Sequence, residues 1–433
     1  MAARRPRCWS RRCEGRFLTA PGRPTPAFDL IVGGVPRFRA EAPWAWRLLA
    51  RLFRGLPAAR VTETPGRAPV VADAAGESPI VLVHADPEAY LVPEAALRLV
   101  QALDARPDLD LVAPGTNEPW CEAARVAPPF AYETPTLLAE AAAAVAGSAG
   151  PPEAAAGVAS PVYAVRRAAL ARSAPGAALE SLPADRPDLK AAVDRGAYLH
   201  RYGAMDASPR EDLAARVPPG AAAVLDVGCS RGATSAALRA RGVRWIAGIE
   251  PDREDASEAS RVYDRVIAGR LEEVAEDFAG RFDAVLFGDV LEHLEDPSDA
   301  LVRVRPWLAP GGVVVASVPN LGHWAVIDDL LRGRFEYVPY SILSGTHVRF
   351  FTRSSLIDLL EASGYRVRAI DTVTLPASAA GAARRDRLGA LPGASPDLDA
   401  AEFVAVAGAD DAARNAAKGI DTDRRMLRYH RPE

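Results

Sequence analysis

Residues 221–252, AAAVLDVGCSRGATSAALRARGVRWIAGIEPD, constrain the fold of this chain more than any other stretch. The apolar run at 221–225 is typical of a strand that is buried on both faces of a parallel sheet. A glycine-containing turn leads from it into the helix-forming segment 233–240, and a second short strand, 245–249, ends at Glu250. The order of strand, glycine turn, helix, strand and acid predicts one nucleotide-binding βαβ half.

The residues of the turn indicate which kind of ligand this half binds. Gly228 and Gly232 allow the backbone to approach a ligand closely, and the helix start offers free N–H groups. The carboxylate of Glu250 suits two ribose hydroxyls. The spacing is D-x-G-x-x-x-G rather than G-x-G-x-x-G, so no pyrophosphate cradle is predicted. Asp226 is unfavourable beside a diphosphate and favours a cationic ligand.

This turn resembles the first motif, D-x-G-x-G-x-G, of the class I S-adenosylmethionine-dependent methyltransferases. Ser230 stands where the middle glycine of that motif usually is. The resemblance implies S-adenosyl-L-methionine as the cofactor, and a Rossmann-type turn for another ligand is the alternative. The cofactor-binding residues that it implies are Asp226, Gly228, Cys229, Ser230, Gly232, Glu250, Pro251, Leu271, Asp289 and Val290.

Later segments extend the resemblance over about residues 190–410. A predicted fourth strand, 282–287, opens into G-D-V-L-E-H, which is similar to the D-V-L-E-H-L-x-D-P segment of small-molecule and glycan methyltransferases. L-A-P-G-G at 308–312 matches the L-x-P-G-G turn before the family's fifth strand. With strand six at 365–372 and strand seven at 402–407, we expect an α/β fold with a C-terminal Rossmann-like seven-stranded methyltransferase domain.

Two further motifs resemble family segments that indicate the class of acceptor. P-N-L-G-H-W at 319–324 and T-H-V-R-F-F-T at 346–352 are similar to methyltransferases of polysaccharide and lipopolysaccharide assembly, which are often fused to glycosyltransferase domains. The resemblance implies O-methylation of a sugar, a glycolipid or another small-molecule acceptor in surface-polysaccharide assembly. It also implies glycan-assembly enzymes as partners.

Histidines near the predicted cofactor site are the candidates for acid–base work. Methyl transfer to oxygen needs a base with a pKa near neutrality, for which histidine is the default. The chain has six histidines, and His293, His323 and His347 follow the fourth and fifth strands, whose carboxyl ends border the ligand crevice. We favour His347 as the base and His323 next, and we expect helix-start hydrogen bonds to hold His293. Each of the three also fits a structural, hydrogen-bonded role.

The N-terminal half predicts a smaller α/β domain at 26–172, because strand-like and helix-like segments alternate there. Residues 81–114 and 160–170 resemble parts of family 2 glycosyltransferases around the metal-binding D-x-D. His84 stands where the first aspartate would be, and Asp86 alone is a poor ligand for a metal–diphosphate. We therefore predict a degenerate domain that serves packing or substrate docking.

The remaining segments are predicted from composition. Residues 1–25 are expected to be a basic disordered tail, 173–190 a proline-rich linker, 191–410 the methyltransferase domain with a helical start at 191–215, and 411–433 a C-terminal tail.

Overall composition narrows the class of protein. The chain is 49% hydrophobic and 25% charged, which is ordinary for a globular protein, and its net charge of −4 gives no bias toward nucleic acid. No apolar run reaches the roughly 20 residues of a membrane span, and we predict a cytoplasmic protein. Four scattered cysteines supply neither a disulfide framework nor a zinc set, so no metal site is predicted. A cofactor-binding scaffold without turnover and a bifunctional glycosyltransferase/methyltransferase stay open as alternatives.

Overall fold

The computed structural model describes residues 25–34, 56–65, 67–87, 89–117, 122–201, 209–275, 278–338 and 341–410. The predicted tail at 1–25 lies outside these residues except for its last residue, and the predicted tail at 411–433 lies entirely outside them. The described residues form two sheets. We call residues 25–201, around the first sheet, the first unit, and residues 209–410, around the second sheet, the second unit.

The first unit is a mixed sheet with helices packed on it, as the alternation of strands and helices predicts. The strand order is β2-β1-β3-β7-β5-β8-β4, and β6 pairs with β8. The strands are β1 Phe28–Gly34, β2 Arg60–Pro65, β3 Ile80–His84, β4 Ala89–Leu91, β5 Leu111–Thr116, β6 Glu153–Ala154, β7 Val162–Arg166 and β8 Ala191–Arg201. The helices are α1 Pro93–Asp104, α2 Pro135–Ser148, α3 Arg167–Leu170 and α4 Leu182–Asp185.

The expected helix at 191–215 is wrong, because residues 191–201 form β8. β8 pairs in parallel with β5 and antiparallel with β4 and β6, so hydrogen bonds on both edges override the helix propensity of its alanines. Arg98 fixes the strand by donating from Nε to both carboxylate oxygens of Asp194, at 3.0 and 2.9 Å. The start of the predicted methyltransferase domain at 191 therefore lies in the first sheet.

The stretch 173–190, predicted as a linker, packs as part of the first unit. Leu179 and Leu182 are buried, and the Tyr163 hydroxyl donates to the carbonyl of Leu179 at 2.7 Å. The prolines favoured a linker, whereas the apolar residues between them make the contacts that fix this segment to the first unit.

The second unit has the predicted Rossmann-like seven-stranded sheet, in the order β11-β10-β9-β12-β13-β15-β14. All pairs from β11 to β13 are parallel, and β15 is antiparallel to β13 and β14. The strands are β9 Ala223–Val227, β10 Trp245–Glu250, β11 Arg265–Ala268, β12 Phe282–Gly288, β13 Leu308–Pro319, β14 Tyr365–Thr374 and β15 Ala400–Ala409. The helices are α5 Glu211–Ala214, α6 Ser235–Ala240, α7 Arg253–Ala259, α8 Pro297–Val304, α9 Trp324–Leu331, α10 Arg353–Ala362 and α11 Ala379–Gly389.

The central strands of the second sheet are buried on both faces. Val224 and Leu225 in β9, and Val285 and Leu286 in β12, have no exposed surface. Such continuous apolar runs fit strands covered by helices on both sides. The chain reverses its winding between β9 and β12, and ligands of open α/β sheets bind at the carboxyl ends of strands at such a point.

The two units contact each other through α2, α9 and α11. Leu137, Trp324 and Leu388 form one buried apolar cluster across the contact. Around it, Arg384 donates to both carboxylate oxygens of Glu140 at 2.7 and 2.8 Å. Among the described residues, no helix is long and apolar enough to cross a membrane.

The contact between the units predicts the effect of truncating Leu137, which is 4% exposed. Leu137→Ala should lower the free energy of unfolding by about 2–5 kcal/mol, since it removes buried apolar contacts and leaves a cavity. Leu331→Ala, at a leucine that is 69% exposed in α9, is the matched control and should change it by less than about 0.5 kcal/mol. Urea unfolding of the full-length chain measures both, and equal effects would contradict the described contact.

Candidate functional site

The turn after β9 adopts the backbone that its glycines predict. Gly228 has φ +73° and Gly232 has φ +80°, both in the left-handed region. A Cβ on Gly228 would lie 2.6 Å from a methyl of Val290, and one on Gly232 would lie 2.7 Å from a methyl of Val262. Ser230 also adopts a left-handed backbone, with φ +44°. The residue that replaces the middle glycine thus keeps the tight turn.

Glu250 joins the end of β10 to this turn. Its carboxylate accepts the backbone N–H of Ser230 and the backbone N–H of Asp252, both at 2.9 Å. Burial raises the pKa of Glu250. An ionised carboxylate has about four acceptor positions, so it still has capacity for hydroxyl donors. Pro251, which follows, is exposed.

Asp226 and Cys229 lie beneath the turn. The Tyr263 hydroxyl donates to the Asp226 carboxylate at 2.6 Å, and burial raises the pKa of Asp226 to about 6 against the lowering effect of this hydrogen bond. Cys229 is buried, with its sulfur so close to β10 that a Cβ on Gly248 would lie 2.5 Å from it. Leu271, also buried, begins a single 3₁₀ turn after β11.

Asp289 follows β12 and belongs to a charged cluster. Its N–H donates to the Ser317 hydroxyl at 3.0 Å, which in turn donates to its carboxylate at 2.9 Å. Arg210 donates to the carboxylate of Asp289, to Asp212 at 2.8 Å and to Glu402 at 2.5 Å. Burial opposes its charge, but the hydrogen bond with Asp212 and the neighbouring carboxylates raise the pKa of the Arg210 guanidinium.

Arg210 and Glu402 belong to none of the sequence motifs that predict the site. Arg210 lies ahead of the motif-bearing strands, and Glu402 lies in β15, far along the chain. Their common position at the carboxyl edge of the sheet follows only from strand order, because antiparallel β15 begins where parallel β13 ends.

The structure brings His293 and His347 together, with ring centroids 4.8 Å apart and an interplanar angle of 78°. Nδ1 of His293 lies 3.3 Å from the carbonyl oxygen of Thr346, and Nδ1 of His347 lies 3.0 Å from that of Ile342. A carbonyl only accepts, so each Nδ1 carries the proton and each Nε2 keeps its lone pair. Burial, and then the charge of His293, lower the pKa of His347 to about 4.

His323 lies elsewhere and caps α9. Its Nδ1 accepts the backbone N–H of Ala325 at 3.4 Å. The side chain is 3% exposed, and burial lowers its pKa to about 4. We expected a hydrogen bond at a helix start for His293, but His323 makes it, and Nδ1 of His293 faces the carbonyl of Thr346 instead.

With this geometry established, comparison with known proteins identifies the second unit. Residues 198–370, from β8 into β14, match the family model described as a methyltransferase domain. These residues form an S-adenosylmethionine-dependent methyltransferase domain, which makes up most of the second unit. S-Adenosyl-L-methionine is accordingly its cofactor.

Individual relatives share this domain only in part. Two curated proteins named ubiquinone biosynthesis O-methyltransferase, from Psychrobacter arcticus and Dechloromonas aromatica, are each 32% identical, over 152 and 143 residues. The alignments cover 33% and 31% of this chain and 58% and 60% of the relatives, so the chain spans about three fifths of their length.

Among solved structures, one similar chain is the Burkholderia thailandensis 1,6-didemethyltoxoflavin-N1-methyltransferase with bound 1,6-didemethyltoxoflavin and S-adenosylhomocysteine. It is 22% identical, with a TM-score of 0.32, and the match covers 48% of this chain and 79% of that chain.

The residues of the methyltransferase domain fit S-adenosylmethionine. Gly228 and Gly232 keep the turn tight, because Val290 and Val262 already occupy the space that a Cβ on either glycine would need. Glu250 is positioned by two N–H donors and retains acceptor capacity for the ribose hydroxyls. The Asp226 carboxylate accepts the hydroxyl of Tyr263, which joins the end of β9 to the segment that follows α7.

The family 2 glycosyltransferase resemblance stays a prediction. His84 has no exposed surface, and burial lowers its pKa to about 4, so it is neutral at pH 7. Asp86 pairs with Arg201 at 3.0 Å. The guanidinium of Arg201 is therefore already paired with Asp86, the one acid left at the D-x-D position.

We predict that Glu250→Ala weakens binding of S-adenosylmethionine by about 1.5–3 kcal/mol, the usual value of hydrogen bonds to a charged group. Titration calorimetry on the full-length protein measures the affinity. Glu254→Ala, at an exposed acid one turn further along the same loop and helix, is the control and should bind normally. Unchanged affinity in folded Glu250→Ala would rule out the ribose contact.

We predict that His323 makes stability depend on pH. Its folded pKa of about 4 lies below its ordinary value of 6.5, so the unfolded chain binds a proton that the folded chain excludes. Stability therefore falls as pH drops from about 6.5 to about 4, by up to about 3 kcal/mol from this group.

His323→Asn keeps a capping side chain but removes the titrating ring. Urea unfolding at pH 7 and pH 4.5 should show a smaller loss of stability in His323→Asn than in the wild type. An identical loss in the two proteins would mean that this imidazole is not buried in its neutral form.

Proposed function

We propose that this protein is an O-methyltransferase that transfers the methyl group of S-adenosylmethionine to a hydroxyl of a small-molecule acceptor. The observation that carries this proposal is the position of the histidine pair. Val290 lies against Gly228 of the cofactor turn, and His293 follows three residues later beside His347. Groups able to handle a proton thus adjoin the cofactor site.

The cofactor supplies a methyl group activated by a sulfonium, and the protein's own residues position the reaction. The turn at Gly228 and the carboxylate of Glu250 hold and orient the cofactor, so that the acceptor oxygen can approach its methyl group in line. His347 is neutral at pH 7 and presents Nε2, to which the acceptor hydroxyl can give its proton.

A sugar or glycolipid hydroxyl in surface-polysaccharide assembly is the narrower acceptor that we propose. The motifs at 319–324 and 346–352 support it, whereas the names of the two curated relatives favour an acceptor in ubiquinone biosynthesis. Both acceptor classes offer a hydroxyl whose proton the histidine pair can accept.

In this proposal the first unit forms part of the surface on which the acceptor docks. A cleft of about 280 Å³ lies between the units. Polar residues of both units line it, namely Glu94, Thr136, Asp329, Arg334 and Glu336. Such a cleft suits a hydroxyl-rich molecule that reaches past the methyltransferase domain.

The test uses full-length protein with methyl-labelled S-adenosylmethionine and two acceptor sets, glycan precursors and dihydroxybenzoate-type phenols. We expect label in an ether of one set, and none with Glu250→Ala. Cofactor binding without transfer to either set would favour the scaffold alternative. Sugar transfer from a nucleotide sugar would favour the bifunctional alternative.

We predict that His347→Ala lowers turnover by about 10²–10⁴-fold, the usual contribution of a positioned proton-handling group. Cofactor affinity should stay nearly unchanged, because His347 lies on the acceptor side of Val290. His323→Asn is the matched histidine control and should keep turnover within a few-fold. Turnover that survives in His347→Ala would make this histidine structural.

A further inference from the structure

The carboxylate of Glu292 is buried and, in the part of the chain that the structure describes, lacks a hydrogen-bond partner, which is unusual for such a group. Its side chain is 1% exposed, and within the described residues neither Oε1 nor Oε2 has a hydrogen-bond partner. Burial raises the pKa of Glu292 well above its ordinary value. Buried carboxylates are otherwise paired, hydrogen-bonded or bound to metal, so this group calls for a ligand.

Two histidines stand beside this carboxylate. Glu292, His293 and His347 each offer one potential ligand atom, and the three atoms lie within 4.8 Å of one another. Both imidazoles have Nδ1 directed at a backbone carbonyl, of Thr346 and of Ile342. That contact fixes the tautomer of a metal-binding histidine in known sites and leaves Nε2 as the ligand atom.

The backbone holds these side chains in register. The N–H groups of Val348 and Arg349 both donate to the carbonyl of Glu292, at 2.9 and 3.0 Å. The guanidinium of Arg349 also donates to the carbonyl of Glu295. The T-H-V-R-F-F-T segment is thereby fixed against D-V-L-E-H, and two motifs far apart in sequence form one cluster.

We propose that Glu292, His293 and His347 bind a divalent transition-metal ion such as Zn²⁺. Two imidazoles and one carboxylate are a ligand set that Zn²⁺ and its neighbours accept, with further positions open. Bonds of about 2.0–2.2 Å require the ligand atoms to close by about an ångström from their present spacing. His293 is exposed, so the open positions face solvent.

The open position gives the ion a role in acceptor binding, and this role rests on the proposed function. An acceptor hydroxyl bound to a divalent cation loses its proton at a lower pH than a free hydroxyl. An acceptor with two adjacent oxygens, as in a vicinal diol of a sugar or a catechol, fits best because both oxygens can reach the ion. With the ion bound, Nε2 of His347 is a ligand in place of the free base, and the proton of the acceptor hydroxyl passes to water.

Calorimetric titration of chelator-treated, full-length protein with Zn²⁺ tests the site itself. We expect one ion per chain at this site. Glu292→Gln and His347→Ala should each weaken its binding by more than the roughly 10–100-fold that loss of a supporting contact costs. His323→Asn should retain the wild-type affinity. Absence of saturable binding, or equal affinity in all four proteins, would overturn the proposal.

Two further measurements distinguish loss of the metal site from misfolding of a variant and from failure of the proposed function. Each variant should bind S-adenosylmethionine normally, which shows that the domain is folded, and Co²⁺ should give visible absorption bands in the wild type that Glu292→Gln lacks. Metal binding without methyl transfer would refute only the proposed function. Methyl transfer at full rate after chelation would refute only the role of the ion.

Discussion

The carboxylate of Glu250 is the interaction on which the site of this protein depends. It binds the N–H groups of Ser230 and Asp252, and so joins the turn after β9 to the end of β10. Ser230 needs such support, because its left-handed backbone is one that glycine adopts more easily. The same carboxylate fixes the shape of the turn and is the group that we predict to bind the ribose hydroxyls.

Charge at the carboxyl edge of the second sheet is balanced around one guanidinium. Arg210 contacts Asp289, which follows β12, Glu402 in β15 and the neighbouring Asp212. Burial and the nearby charge of Asp289 raise the pKa of Glu402, while Arg210 acts against this. Removing Arg210 would leave several acids facing one another, so this residue sets the electrostatics beside the cofactor turn.

The acceptor side of the site is built by contacts between distant segments. Glu292 and His293 follow β12, and His347 comes from the irregular stretch before α10. Backbone hydrogen bonds from Val348 and Arg349 to Glu292 join them. The first unit lines the cleft that we propose for acceptor docking, since α2 packs on α9 and α11 and shares this cleft with α9.

Local sequence patterns are enough to predict the seven-stranded α/β fold, and the turn after β9 carries the family resemblance that implies the cofactor. Apolar runs, glycine turns and the acid that ends β10 are contiguous or nearly so. The tertiary structure alone decided that 191–201 is a strand, since the edges of β5 and β4 supply its partners. It alone also separated His323, a helix cap, from the pair of His293 and His347. A histidine's role depends on the groups that its two nitrogens meet, and those groups come from elsewhere in the chain.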